Sequence, residues 1–185
     1  IKGVGPSDRQ LPPPVDPRQV GGLFYPRSVA FIGASGQIGK WGYNLFTNTI
    51  SGGYDGDIYL INHKKESIAG RPVLQSISQV PVSVDLVVVT IPADQVKELI
   101  PQFHKKGINN MLLITSGFSE TGVEGAKLER EIIGEARAAG INVIGPNTMG
   151  ICNPHINFFF TGNHVRPKTG TTGVVEKFGN IGNKL

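Results

Sequence analysis

A chain of 185 residues has room for one complete domain with a sizeable core and roughly 40 residues besides. Apolar residues make up 39% and charged residues 17%, and no apolar run approaches the roughly 20 residues of a membrane-crossing helix, so a water-soluble globular chain with no membrane partner is expected. The net charge of +4 is modest and its basic residues are scattered, apart from short clusters at 63–65 and 104–106, which suits a small anionic ligand and gives no stripe for nucleic acid.

Cys152 is the single cysteine and has no partner for an internal disulfide. No signal-peptide pattern precedes the first strand, so a reducing cytoplasm is the expected compartment. Residues 1–22 are rich in proline, glycine and polar groups, with prolines at 12, 13 and 14, and read as an extended arm or linker.

From Ser28 short β-branched runs alternate with segments of helical period, the pattern of a parallel sheet. "SVAFIGA" is the first strand. The glycine turn that follows, "GASGQIGKWG", feeds a helix of about Lys40 to Ile50. "GDIYLIN" is the second strand, and "GRPVLQSISQVP" carries little more than a turn of helix. "VDLVVVTI" is a third strand whose continuous apolar run implies burial on both faces. Pro92 can open the next helix because a first-turn N–H has no partner to lose, and Val96, Leu99, Ile100 and Phe103 form one apolar stripe. "NNMLLITSG" is the fourth strand. Thr121 to Glu124, "TGVE", read as a capping box for a helix through Leu128, Ile132 and Ala136, which Gly140 ends. "INVIGPN" is the fifth.

These steps predict an α/β, Rossmann-like, doubly wound parallel sheet of about five strands over residues 23–147. Residues 148–170 read as a crossing segment and linker, and 171–185 as the start of a second α/β domain that the sequence leaves short.

A strand, a glycine turn and a helix N-terminus together present unpaired N–H groups and a positive dipole end to an anion. Gly33, Ser35, Gly36, Gln37 and Gly39 carry that turn. Its spacing is longer than G-x-G-x-x-G, and no G-K-[ST] follows as in a Walker A loop. Enzymes that bind NAD place an acidic residue at the end of the second strand. Here stands "INHKK", with Asn62 able to hydrogen-bond a ribose or adenine, and His63, Lys64 and Lys65 favouring extra negative charge. The ligand is then a nucleotide with an additional ribose phosphate, either NADP or coenzyme A. The other wall comes from the ends of the third and fourth strands and from "GPNTMG" after the fifth, where Gly145, Pro146 and Asn147 fix the backbone exit.

With these segments in order from Leu23 to Gly162, "LFYPRSVAFIGAS", "GDIYLIN", "VDLVVVTIPA", "LLITSGFSETG", "VIGPNTMGICNP" and "NFFFTG", the sequence resembles the NDP-forming acyl-CoA synthetase superfamily, the ADP-forming acetyl-CoA synthetases and the succinyl-CoA synthetase α subunit. The resemblance implies a CoA-binding domain. In it Ser35, Gly36, Gln37 and Gly39 hold the CoA phosphates, and Asn62 and Lys64 lie at the adenosine and 3′-phosphate end. Ile91 and Pro92 pack on the nucleotide or pantetheine, and Thr115, Ser116 and Gly117 lie near the thiol arm. It also implies an acid–thiol ligase whose phosphohistidine belongs to a following domain, so no catalytic residue and no metal ligand is assigned here, and His63, His104, His155 and His164 are not substitutes for it. ATP or ADP and Mg are expected only on parts outside this chain, with an ATP-grasp domain or subunit as partner and a homo-oligomer as a possible assembly. Thr148 stands where many relatives carry cysteine after "GPN". Two other readings remain open: a CoA- or nucleotide-sensing regulatory module, stand-alone or fused to an acyltransferase, and an NADP-dependent oxidoreductase, for which no Tyr-x-x-x-Lys pair is visible.

Overall fold

The structure, a computed structural model, describes residues 17–64 and 67–175. Helix α1, Pro17–Phe24, occupies part of the expected arm. Leu23 anchors it in the core, and Gly22 allows it close to Asn110, whose amide nitrogen is 2.6 Å from where a β-carbon would stand. The polyproline reading at 12–14 lies outside the described residues.

Strand β1 (Ser28–Ile32) is followed by α2 (Trp41–Ser51), β2 (Asp57–Ile61), a hairpin of β3 (Ser67–Ile68) and β4 (Arg71–Leu74), and β5 (Leu86–Val89). Then come α3 (Ala93–Val96), α4 (Ile100–Lys105), β6 (Asn110–Leu113), α5 (Val123–Ala138) and β7 (Asn142–Ile144). Seven strands form one sheet in the order β3-β4-β2-β1-β5-β6-β7, parallel except for β3. The five expected strands are a continuous run within it, β2-β1-β5-β6-β7, that ends at the β7 edge.

Every residue of β5 and β6 is buried, as the unbroken apolar runs require of strands covered on both faces. Alternate residues serve two cores. Val87 and Val89 face a layer built on Val96, Phe103 and Ile132, while Leu86 and Val88 face one built on Leu45, Phe158 and Phe160. Full burial of each such side chain is worth roughly 1.5–3 kcal/mol.

Four local expectations are corrected. Residues 71–74 are not loop: β4 pairs in parallel with β2, and only Ile77–Gln79 is helical, as a 3-10 turn. One buried residue in β4, Val73, leaves no readable period, and the Ala69–Gly70 turn (φ 50° and 74°) is a weaker hairpin signal than Asn-Gly. The helix after Pro92 is interrupted by a 3-10 turn at Lys97–Leu99, because Pro101 cannot donate to the Lys97 carbonyl. Its stripe still holds, with Val96, Ile100 and Phe103 buried.

The capping box at Thr121–Glu124 does not form. Helix α5 is capped by Gly122, and the Thr121 hydroxyl donates to the Phe118 carbonyl at 2.8 Å. Glu124 remains in the first turn, where the helix dipole favours it.

The segment expected to cross and link, 148–170, is built into the domain. β8 (Gly150–Asn153) and β9 (Phe158–Thr161) make an antiparallel hairpin against α2. Phe160 meets Phe31 of β1 edge to face, with ring centroids 5.0 Å apart. The chain then runs along α2: the Asn48 side chain donates to the carbonyls of Thr161 (2.7 Å) and Asn163 (3.0 Å). The Arg166 guanidinium donates to the Asn48 carbonyl (3.0 Å) and lies 4.5 Å above the Phe159 ring. Residues 171–175 are exposed and irregular, and the rest of the expected second domain, 176–185, lies outside the described residues.

Candidate functional site

The chain order reverses between β1 and β5: from β1 it steps to β2 on one side and later returns to β5 on the other. In open parallel sheets ligands sit at such a point, beyond the carboxyl ends of the strands. The glycine turn leaves β1 there and runs into α2.

Within the turn, the Gln37 N–H donates to Ser35 Oγ (3.1 Å) and the Lys40 N–H to the Gln37 carbonyl (3.2 Å). The N–H groups of Gly36, Ile38, Gly39, Trp41 and Gly42 have no acceptor among the described residues. Gly39 has φ +85° with open space around it, so it serves the backbone path and not packing. A cleft of about 430 Å³ lies between Ser35, Gly36 and Gln37 on one side and Ser67, Ile68 and Ala69 of the β3–β4 turn on the other. That volume suits part of a small-molecule ligand.

Asn62 extends from the end of β2. Its Nδ2 donates to the Ala34 carbonyl (2.9 Å) and its Oδ1 accepts from the Lys64 N–H (2.8 Å). The amide therefore ties the glycine turn to the basic turn, and the Lys64 and His63 side chains are exposed beside it. Lys65 lies outside the described residues.

The far wall follows the rim in strand order. Thr115, after β6, donates through Oγ1 to the Ile91 carbonyl (2.7 Å), and Asn147 (φ 51°) donates its N–H to the Thr115 carbonyl (2.9 Å). Ile91 is half-buried next to Gly33, and exposed Pro92 precedes α3. Ser116 is exposed, and Gly117 donates its N–H to Glu120 Oε1 at 2.5 Å. All thirteen residues singled out in the sequence thus lie on one edge of the sheet, although Asn62 and Thr115 already bond within the protein. The sequence does not show the β3–β4 turn as a wall, and it places Gly42 in the turn and Thr90 on the rim without showing that both approach the Gly33 carbonyl.

The Gly117 N–H holds the Glu120 carboxyl below the usual carboxylate range. Because the folded pKa is depressed, the ionised form favours the folded loop. This contribution is present above the unfolded carboxylate pKa and is lost as pH falls through the folded one. Acidification below about pH 4 is therefore expected to loosen residues 115–121 before the sheet. The Gly117 amide shift in NMR should follow that titration, and Glu120→Gln should abolish it.

His104 Nδ1 lies 3.1 Å from the Ala139 carbonyl and His155 Nε2 2.8 Å from the Gly170 carbonyl, both outside this rim. Among the described residues no group of three His, Cys, Asp or Glu could hold a metal ion, and no helix is long and apolar enough to cross a membrane.

A sequence profile described as a CoA binding domain matches residues 27–154, the span that contains this rim. The chain belongs to the CoA binding domain family. Its match runs seven residues past Asn147, into the hairpin that closes the core. Among relatives, the acetate–CoA ligase [ADP-forming] II of Archaeoglobus fulgidus is 38% identical over 85% of this chain and 24% of its own length. The acetate–CoA ligase [ADP-forming] II subunit alpha of Pyrococcus furiosus is 35% identical over 86% of this chain and 35% of its own. An acetyl-coenzyme A synthetase of Ca. Korarchaeum cryptofilum, in its apo form, superposes with a TM-score of 0.73 at 32% identity, covering 83% of this chain and 32% of that one. This CoA binding domain therefore spans a quarter to a third of the length of these relatives.

Proposed function

We propose that this chain binds CoA or acyl-CoA along the carboxyl rim, as the CoA-binding portion of an ADP-forming acyl-CoA synthetase. The whole enzyme would interconvert acyl-CoA, nucleoside diphosphate and phosphate with carboxylic acid, CoA and nucleoside triphosphate. The observation that carries the reading is the row of N–H groups without acceptors among the described residues at the chain reversal, in a turn that borders a cleft at Ser35–Gln37 and is tied through Asn62 to the turn of the exposed Lys64. That donor set suits a pyrophosphate followed by one more phosphate.

In this reading Gly33, Ser35, Gly36, Gln37 and Gly39 shape the loop and offer its N–H groups to the CoA phosphates. Asn62 fixes the basic turn so that Lys64 meets the 3′-phosphate. Ile91 and Pro92 give apolar contact to the nucleotide or pantetheine, and Thr115, Ser116, Gly117 and Asn147 line the path of the thiol arm. The chain's own part is to bind and orient CoA. Phosphoryl transfer through a histidine, and the ATP or ADP and Mg it needs, belong to parts beyond this chain, on a following domain and an ATP-grasp partner. The names of the two ligase relatives favour this reading over a sensory module.

Trp41, the only tryptophan, is the first residue of α2 and half-exposed, so its fluorescence is placed to report an anion at the loop. CoA is expected to change it saturably; no change together with no heat on mixing would remove the assignment. Lys64→Ala is expected to weaken CoA by about fivefold, roughly 1 kcal/mol for an exposed charge pair, and to leave dephospho-CoA unchanged. The effect should shrink with added salt. Equal losses for both ligands would take Lys64 off the 3′-phosphate.

A further inference from the structure

Thr90 directly follows β5, beside Gly33 and at the reversal of chain order. Its N–H donates to the Ile32 carbonyl at 3.0 Å, one step past the paired strand residues. Its hydroxyl lies 3.2 Å from the Ile32 carbonyl and 3.1 Å from the Gly33 carbonyl, so one proton serves both. No other donor to the Gly33 carbonyl is present among the described residues. The packing is equally close: Thr90 Oγ1 is 2.5 Å from the point where a β-carbon on Gly33 would stand. The first turn of α2 approaches the same carbonyl at Gly42, where an added β-carbon would stand 2.5 Å from its oxygen. The peptide that begins the glycine turn is therefore held between the end of one strand and the start of the next helix.

We propose that Thr90 is a positioning residue for this loop: its hydroxyl sets where residues 34–39 begin, and so where their N–H groups meet the ligand. The proposal rests on the reading of the loop as a CoA phosphate cradle. In this role Thr90 acts through the Ile32 and Gly33 carbonyls and not by its own contact with the ligand. The same device recurs along the rim, where Asn62 holds the Ala34 carbonyl and Thr115 the Ile91 carbonyl, but only Thr90 acts on the first peptide of the phosphate loop.

The test compares the 185-residue chain with Thr90→Val, Thr90→Ala and Thr90→Ser by calorimetric titration with CoA and dephospho-CoA, and by hydrogen exchange of amides 34–39. Valine and alanine are expected to weaken both ligands by the same factor, about five- to tenfold, as loss of one positioning hydrogen bond implies. Loop exchange should quicken selectively, and serine should restore binding to within about twofold. If Thr90→Val does not fold, Thr90→Ala carries the comparison. Unchanged CoA affinity in the folded variants, or a fall in Tm with no loop-specific exchange, overturns the role of Thr90 while leaving the CoA site standing. A wild-type chain that takes no CoA overturns both.

Discussion

Gly42→Val is expected to weaken CoA binding by ~100-fold or more and to lower stability by roughly 1–3 kcal/mol, as overpacking of a closed site does. Gly42 lies buried in the first turn of α2, and a β-carbon there would stand 2.5 Å from the Gly33 carbonyl oxygen and 3.1 Å from the Ser35 nitrogen. Both neighbours are backbone, which cannot swing aside as a side-chain tip can. Either the helix withdraws from the loop or the loop shifts, and in both cases the N–H groups of Gly36, Ile38, Gly39, Trp41 and Gly42 are displaced relative to one another. Gly39 gives the instructive contrast. Nothing lies within 4 Å of its added β-carbon, so Gly39→Ala costs only the strain of a left-handed backbone, about 1–2 kcal/mol. Calorimetric affinities and thermal unfolding of the two variants should rank Gly42→Val well above Gly39→Ala; the reverse order would mean that helix and loop do not pack as closely as the structure shows.

Phe160→Ala is expected to cost about 3–5 kcal/mol, a large fraction of the stability of a domain this size. Phe160 is fully buried, meets Phe31 of the inner sheet, and sits 5.5 Å from the equally buried Phe158. Its removal opens a cavity between the hairpin and the sheet that neighbouring backbone cannot fill. Urea denaturation measures the loss. For the same reason a chain ending at Asn147 should lack a cooperative transition, since the faces of α2 and β1 would be left uncovered. A loss below 1 kcal/mol would mean that the hairpin is an accessory to the core.

The parts legible in the sequence are those where one face or both faces of an element repeat a simple pattern. "LVVV" announces a strand buried on both sides, and Val96, Ile100 and Phe103 announce a helix stripe that survives even where Pro101 breaks the helix. The β3–β4 hairpin was not legible because each short strand buries a single residue, Ile68 in β3 and Val73 in β4, and its turn is Ala-Gly. "NFFFT" gave apolar character but no partner: that β9 pairs with β8 and packs on α2 is a tertiary fact without a local signal. In "TGVE" the local signal misled, because the Thr121 hydroxyl found the Phe118 carbonyl closer at hand.

The site divides in the same way. Glycine spacing and "INHKK" point to one edge of the sheet and to a phosphate-rich nucleotide. They did not show that Asn62 already bonds Ala34 and Lys64, or that Thr90 stands beneath Gly33, because both depend on which strands are neighbours. The order β2-β1-β5 brings these three strand ends together, and it is a property of the whole sheet with no local signal.

The most direct measurement is calorimetric titration of the chain with CoA, with dephospho-CoA and NADPH as controls. The expected result is saturable one-site binding of CoA, weaker binding of dephospho-CoA, and NADPH weaker than CoA. NADPH binding more tightly than CoA would contradict a CoA site on this rim.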